Sequence, residues 1–205
     1  KGKKSGPLAG KKIVLKDNIC LSGVPMMNGA SVLEGFVPDV DATIVTRILD
    51  AGGTIIGKAA NTYLCFDGGS ATTATGMAEN PHKKGYSSGG SSAGSGVLVS
   101  IGEADMAMGG DQGGSIRMPA CWSGIVGHKP THGLVPYTGV FPIEMTLDHT
   151  GPMARTVTDT ATLLQAIAWP DSHDPRQIGC KTQNYVKALA KGAKGLKVAI
   201  LKEGF

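Results

Sequence analysis

Three parts of this sequence have the residue types and spacing that nucleophilic catalysis needs. Two glycine-rich clusters, residues 89–96 and 109–115, carry serine hydroxyls beside backbone N–H groups that no Cβ obstructs. A lysine, Lys16, directly follows the apolar run Ile13–Leu15. Serine can attack a carbonyl with lysine as its base, provided that burial removes the proton of the lysine. The sequence therefore offers a serine–lysine site that requires no histidine.

The second cluster supplies the other part of such a site. Gln112, Gly113, Gly114 and Ser115 place four consecutive N–H groups on one turn, and such a turn can aim several donors at a developing oxyanion. We predict that Ser115 is the nucleophile, that these N–H groups form its oxyanion hole and that Lys16 is the base. A serine of the first cluster would carry the proton between Ser115 and Lys16.

Two other motifs compete for the same glycines. Residues 52–58 match G-x-x-x-x-G-K, but the next residue, Ala59, lacks the hydroxyl with which a phosphate-binding loop holds Mg²⁺. Residues 90–94 match G-x-S-x-G with Ser92 as the nucleophile. That motif needs a buried strand directly before it, whereas residues 80–88 are polar and turn-forming. Both motifs are therefore weaker interpretations than the pair Lys16 and Ser115.

Three charged residues near these motifs favour structural interpretations. Asp111 and Arg117 flank the turn that carries Ser115, and we expect them to fix its shape rather than to contact a substrate. Lys58 follows the second apolar run, and we expect it to be structural rather than a second base.

Predicted helices and strands alternate along the chain and position these residues. Helical spacing of apolar residues predicts helices over 39–51, 93–101, 156–168 and 183–191, and short apolar runs predict strands over 13–15, 54–56, 104–108 and 196–201. We expect Asp39 or Asp41 to cap the first helix and Thr156 the third. Strand, helix and strand in succession indicate an α/β fold with parallel members in its sheet.

The composition excludes several classes of protein. The chain has 205 residues, 41% of them hydrophobic, and a mean hydropathy of +0.01, which is a globular composition. Ten of its 31 glycines fall within residues 85–114, without the regular spacing of collagen. The net charge of +4 arises from two lysine-rich, acid-free segments, 1–12 and 187–202, and only 5% of residues are aromatic. This pattern predicts no direct binding of nucleic acid.

The cysteines and the apolar runs concern metals and location. Cys20, Cys65, Cys121 and Cys180 lie far apart, with no spacing typical of zinc ligands, so we interpret them as reduced thiols. No apolar run reaches the ~18–20 residues of a membrane span. Residues 1–12 lead directly into the first strand, without the pattern of a secretory signal. We expect a cytoplasmic protein without a membrane partner.

Several motifs together resemble the amidase signature hydrolases, from Leu8 to about Gln177. The match comprises Lys16-Asp17-Asn18, Gly57-Lys58, Gly89-Gly90-Ser91-Ser92-x-Gly94-Ser95-Gly96, Gly113-Gly114-Ser115-Ile116-Arg117-x-Pro119-Ala120, Gly127-His128-Lys129-Pro130-Thr131 and Gly133-Leu134-Val135-Pro136. The separation of 24 residues between Ser91 and Ser115 agrees with the family's serine pair. Residues 109–112, 139–144 and 174–177 most resemble the bacterial aliphatic and aromatic, enantioselective amidases of nitrile metabolism.

The resemblance implies a specific site and fold. Ser115 would be the nucleophile, Ser91 a bridging serine preceded by a cis peptide bond, and Lys16 the base, with the N–H groups of residues 112–115 as the oxyanion hole. The fold would be a mixed β-sheet covered by helices. Residues 1–205 would be one incomplete domain, without the N-terminal helical region and the C-terminal portion of the family.

The activity that the resemblance implies is hydrolysis of small carboxylic amides to acid and ammonia through an acyl-enzyme, with no metal or cofactor. The partner would be a small-molecule amide, and a homodimer is one assembly that fits the resemblance. Two alternatives stay open: the glutaminase subunit of a tRNA-dependent amidotransferase, and a non-catalytic fragment that retains the motifs. The sequence identifies no residues that bind the acyl group of the substrate.

Overall fold

The computed structural model describes residues 5–202. Over these residues a five-stranded sheet forms the centre of the fold, in the order β2-β1-β3-β5-β4. Its strands are β1 (Lys12–Lys16), β2 (Thr54–Ala59), β3 (Met106–Asp111), β4 (Val126–Gly127) and β5 (His149–Ala154). Strand β1 is parallel to β2 and β3, whereas β5 is antiparallel to β3 and β4. The expected α/β fold with a mixed sheet is thus confirmed.

Helices cover both faces of this sheet. They are α1 (Thr43–Asp50), α2 (Ala93–Ser100), α3 (Arg117–Ser123), α4 (Val157–Ile167) and α5 (Tyr185–Leu189). Successive side chains of a strand point to opposite faces, and β1 shows this directly. Ile13 and Leu15 pack in the cluster that contains residues of α1 and α4, whereas Val14 packs with residues of α2 and α3. The middle of β1 is therefore buried on both sides. No helix within residues 5–202 is long and apolar enough to cross a bilayer.

The helix caps are partly as predicted. Thr156 caps α4, since its side chain accepts a hydrogen bond from the backbone N–H of Asp159 at 3.0 Å. The predicted cap of α1 is wrong. That helix begins after Ala42, which has no capping side chain, and Asp41 instead accepts a hydrogen bond from the backbone N–H of Ser22 at 2.7 Å. The carboxylate thus fixes the loop before the helix.

The strands differ from the predicted ones in three places. β3 runs on to Asp111, beyond the predicted end at residue 108, so Gly109 and Gly110 lie within a strand. A Cβ at Gly109 would lie 2.8 Å from Sδ of Met153 and 3.0 Å from Oγ of Ser92, which explains the glycine. The sequence does not predict β5, because Gly and Pro interrupt its pattern. The strand predicted over 196–201 is absent, and its apolar side chains are exposed. An apolar run forms a strand only where a neighbouring strand pairs with it.

Candidate active site

Lys16 is the last residue of β1 and is completely buried. Strand β1 lies between β2 and β3 and is parallel to both. Lys16 therefore lies at the edge of the sheet where the carboxyl ends of these three strands meet. Its Nζ lies 2.6 Å from Oγ of Ser91 and 3.4 Å from the carbonyl oxygen of Gly110. Burial lowers the pKa of Lys16, and the nearby Cys65, Asp111 and Asp148 oppose this shift. The lysine therefore has the desolvated environment that a neutral amine base requires.

Ser91 is fixed immediately before α2. The Gly90–Ser91 peptide bond is cis, as the resemblance implies. The N–H of Gly90 donates to the carbonyl oxygen of Gly68 at 2.7 Å, and a Cβ at Gly90 would overlap the carbonyl oxygen of Gly69. The carbonyl oxygen of Ser91 accepts from the N–H of Thr62 at 3.2 Å. Two neighbouring loops thus hold the serine against Lys16.

Ser115 stands on the turn between β3 and α3, and Asp111 organises that turn. The buried carboxylate of Asp111 accepts hydrogen bonds from the backbone N–H groups of Gly114 at 2.8 Å and Ile116 at 3.1 Å. Arg117 adds two bonds from its guanidinium, each 3.0 Å long. Burial alone would raise the pKa of Asp111, but these bonds hold it below its usual value. The predicted role of Asp111 and Arg117 in fixing the turn is confirmed.

This arrangement corrects one part of the predicted oxyanion hole. The N–H of Gly114 points at Asp111 and is not available to a substrate oxygen. Among residues 5–202, no protein acceptor takes the N–H groups of Gln112, Gly113 or Ser115. The candidate donors are therefore three and not four. The fourth N–H instead fixes the curvature of the turn.

The start of α2 joins the two halves of the site. The N–H of Ser92 donates to the carbonyl oxygen of Ser115 at 3.2 Å. Its hydroxyl both donates to the carbonyl oxygen of Gly110 and accepts from the N–H of Gly110, each at 3.1 Å. Ser92 is thus fully used as a structural link, which does not favour the G-x-S-x-G interpretation. The structure places Lys16 and Ser91 in direct contact and brings the turn of Ser115 beside them.

Ser115 borders a cavity of about 390 Å³, whereas Lys16 and Ser91 lie behind it. The wall combines apolar side chains with two carboxylates and the turn itself; it is formed by Cys65, Phe66, Asp67, Gly68, Gln112, Gly113, Ser115, Met118, Ile143, Glu144 and Leu147. A larger cavity of about 520 Å³ lies between residues 131–134 and 176–185 and contains none of the predicted catalytic residues. The smaller cavity is therefore the candidate substrate site.

Two residues near the site had no predicted catalytic role, and one of them is a cysteine. Cys65 borders the cavity, interacts with Lys16 and contacts Asn28 Oδ1 at 3.2 Å. Among residues 5–202, Lys58 is the other lysine with a pKa lowered by burial, and it pairs with Asp17 at 3.1 Å. That ion pair makes Lys58 structural, as predicted, and its place inside β2 does not favour a phosphate-binding loop.

The histidines and cysteines form neither a metal site nor a disulfide among the described residues. Within residues 5–202, no three His, Cys, Asp or Glu side chains are close enough to hold one metal ion. The four cysteines form no disulfide.

Known proteins resemble this chain in sequence and in fold. The model of the Amidase family matches residues 1–205. The chain is 53% identical to an enantioselective amidase of Rhodococcus rhodochrous, over 98% of this chain and 39% of the relative. A glutamyl-tRNA(Gln) amidotransferase subunit from Thermotoga maritima superposes with a TM-score of 0.90 at 33% identity, over 94% of this chain and 42% of that one. Native peptide amidase from Stenotrophomonas maltophilia gives 0.85 at 39% identity, over 90% and 39%.

The chain thus spans about two fifths of the length of these relatives. This chain contains the lysine, the two serines and the turn described above. Its sheet and helices superpose on the two solved structures, with which it shares 33% and 39% of its aligned residues. Because the family model covers residues 1–205, the chain belongs to the Amidase family.

Proposed function

We propose that this chain forms the catalytic core of an amidase that hydrolyses the C–N bond of small carboxylic amides to acid and ammonia. The observation that carries the proposal is the 2.6 Å contact between Nζ of buried Lys16 and Oγ of Ser91, beside the turn that presents Ser115 to the cavity. The 53% identity to an enantioselective amidase supports the same chemistry.

Each step of the proposed reaction uses groups already described. Neutral Lys16 takes the proton of Ser91 while Ser91 takes that of Ser115, and Oγ of Ser115 attacks the amide carbon. The N–H groups of Gln112, Gly113 and Ser115 stabilise the oxyanion. The C–N bond then breaks, and the stored proton returns to the leaving nitrogen, which departs as ammonia. Water, activated by the same base, hydrolyses the ester on Ser115 and restores the enzyme.

A second candidate has its own support. The TM-score of 0.90 to the amidotransferase protein of Thermotoga maritima favours a glutaminase that works within a multi-subunit complex. The sequence Gly110-Asp111-Gln112 argues mildly against this candidate, since it resembles the amidases of nitrile metabolism more closely. A non-catalytic fragment that retains the motifs is the third candidate. The cytoplasmic location and the homodimer also stay predictions.

Ammonia release from four amides tests the proposal. We expect the purified chain to release ammonia from acetamide, benzamide or indole-acetamide, and much more slowly from glutamine. Release from glutamine alone would favour the glutaminase of an amidotransferase. If the folded chain releases ammonia from none of the four, the proposal is wrong for this chain as an isolated enzyme. The variant Ser115→Ala is the blank for contaminating activity.

Asp111→Asn is expected to lower amide hydrolysis by about 10²–10³-fold, the loss typical of a damaged oxyanion hole. The amide keeps one acceptor, so the N–H of Gly114 and that of Ile116 can no longer both be bound, and the ion pair with Arg117 is lost. The hydrolysis rate and the melting temperature should be measured together. The control is Asp105→Asn, which removes another Asp–Arg pair, the longer and more exposed one with Arg155. An unchanged rate in Asp111→Asn would contradict the proposed role of the turn.

A further inference from the structure

The side chain of Gln112 connects the oxyanion turn to the opposite wall of the cavity. Its Nε2 lies 2.8 Å from Oδ1 of Asp148 and 3.3 Å from the hydroxyl oxygen of Tyr137. Both hydrogens of the amide are therefore directed at acceptors, so the orientation of the side chain is fixed. The backbone N–H of the same residue is one of the three candidate donors to the oxyanion. Contacts that fix the side chain of Gln112 therefore also restrict the movement of its backbone N–H.

Asp148 is almost completely buried, and both of its carboxylate oxygens are used. Oδ1 accepts from Gln112, and Oδ2 accepts from the backbone N–H of Ile143 at 3.0 Å. The backbone N–H of Asp148 donates to the carbonyl oxygen of Glu144 at 2.8 Å. Asp148 thus closes the segment 143–148 on itself. Three residues of that segment, Ile143, Glu144 and Leu147, form one wall of the cavity.

Arg176 fixes Asp148 from behind. Its Nη1 donates to the carbonyl oxygen of Asp148 at 2.9 Å, while Nη2 and Nε bind the carboxylate of Asp174 at 2.6 and 2.8 Å. Asp174 in turn accepts from the backbone N–H of Tyr137 at 2.9 Å, and the guanidinium stacks over the tyrosine ring at 4.9 Å. The ion pair is buried, so its hydrogen bonds define one arrangement. The motif at residues 174–177 thereby acquires a structural role.

Two basic side chains and one tyrosine interact electrostatically with Asp148. The carboxylate faces Lys16, Tyr137 and Arg176 from three different parts of the chain. A hydrogen bond from an amide to a buried carboxylate is stronger than one to a neutral oxygen. The negative charge of Asp148 opposes the lowering of the Lys16 pKa, which a neutral acceptor would not do. What a carboxylate adds at this position is a stronger hydrogen bond to Gln112.

We propose that Asp148 is a positioning residue that locks Gln112, so that the oxyanion turn is fully formed only while segment 143–148 is packed in place. The inference rests on the proposed function, because it assigns a role in the hydrolysis at Ser115. It also couples the oxyanion hole to the cavity wall formed by Ile143, Glu144 and Leu147. A substrate that displaces the wall would then lose part of the stabilisation of its own oxyanion.

Reversing the polarity of the contact tests the inference. Gln112→Glu places two carboxylates together, and Asp148→Asn can present an amide NH₂ to the amide of Gln112. We expect either change to slow fluorophosphonate labelling of Ser115 by tenfold or more, since a buried polar group loses its partner. In the double variant the new amide at position 148 donates to the new carboxylate, and its oxygen still accepts from the N–H of Ile143. Labelling should recover to within about threefold of the parent chain, a recovery that damage to separate sites would not give.

Hydrogen exchange separates this inference from the proposed function. In the single variants, exchange should accelerate in the backbone amides of residues 112–116 and 143–148 together, and the double variant should restore protection. Asp159→Asn, which breaks an ion pair with Lys11 on the far side of the fold, is the control. If the parent chain is not labelled at Ser115, the proposed function fails, and exchange still decides whether the two segments are coupled. Unchanged exchange in both single variants, or a double variant as slow as the single ones, would overturn the inference.

Discussion

Ser115→Ala is expected to abolish labelling by a fluorophosphonate probe, while the chain remains folded. The probe forms a covalent bond only with an activated hydroxyl, and Ser115 is the serine of the proposed triad that borders the cavity. Lys16 and Ser91 lie behind it and cannot reach a bulky phosphorus centre. Intact mass and peptide mapping would report one adduct, on Ser115, in the parent chain. The same measurement should show none in the variant.

Two other serines provide matched controls for that experiment. Ser123 is buried, and its hydroxyl has no protein partner among the described residues, so Ser123→Ala should label like the parent chain. Ser92→Ala should still be labelled on Ser115, at a reduced rate, since Ser92 supports the end of β3 through Gly110. An adduct on Ser92 would instead support the G-x-S-x-G interpretation. Undiminished labelling of Ser115→Ala would remove the proposed nucleophile.

Lys16→Met is expected to lower amide hydrolysis by about 10²–10⁴-fold, the contribution typical of a general base. The flexible apolar side chain occupies a similar volume in a fully buried position, so the fold should be retained. The matched control is Lys58→Met, which removes the other lysine with a lowered pKa but leaves the contact between Lys16 and Ser91 intact. Initial rates on the amide that the chain hydrolyses best provide the measurement. Full activity of Lys16→Met would exclude Lys16 as the base.

The pH dependence gives the same residue a second signature. Burial lowers the pKa of Lys16 below the ordinary lysine value of 10.5, and the active form is the neutral amine. Activity should therefore rise with pH, with its midpoint below 10.5. The stability of the fold should follow the same direction: between the folded and the unfolded pKa the unfolded chain binds more protons, so the free energy of unfolding rises with pH. Lys16→Met should lose the pH dependence of activity; the rise of stability with pH should become weaker but not vanish, because burial also lowers the pKa of Lys58. An unchanged pH dependence of activity would assign it to another group.

The sequence predicts the position of Lys16 and the cap of α4, but not the contacts that join distant elements. Lys16 could be placed because a short apolar run that ends in polar residues is typical of a buried strand. The cap of α4 by Thr156 follows from a local pattern of four residues. In contrast, Gln112 and Asp148 meet beside the paired ends of β3 and β5, and β5 has no recognisable strand pattern. Arg176 reaches Asp148 from a third part of the chain. Contacts of this kind depend on the tertiary fold and leave no local signal.

The number of candidate oxyanion donors differs from the predicted number for a local reason. Four consecutive N–H groups on a turn are equivalent in the sequence, and only the carboxylate of Asp111 distinguishes the one at Gly114. A carboxylate three residues before an N–H is a common local contact, so the pattern Asp111-x-x-Gly114 could have indicated it. The absent strand over 196–201 is different. Its apolar alternation is real, but pairing is decided by a neighbour that the segment does not contain.

The burial of Lys16 and Ser91 determines which hydrogen the leaving group receives in the proposed cycle. Both side chains are sealed from solvent, and Ser115 alone opens to the cavity, at 7% exposure. In the proposed cycle, a proton taken from Ser115 is stored where bulk water has no direct access. It leaves by the same hydroxyl or passes to the departing nitrogen. The ammonia that departs would therefore carry the hydrogen that Ser115 gave up, and not one taken from bulk solvent.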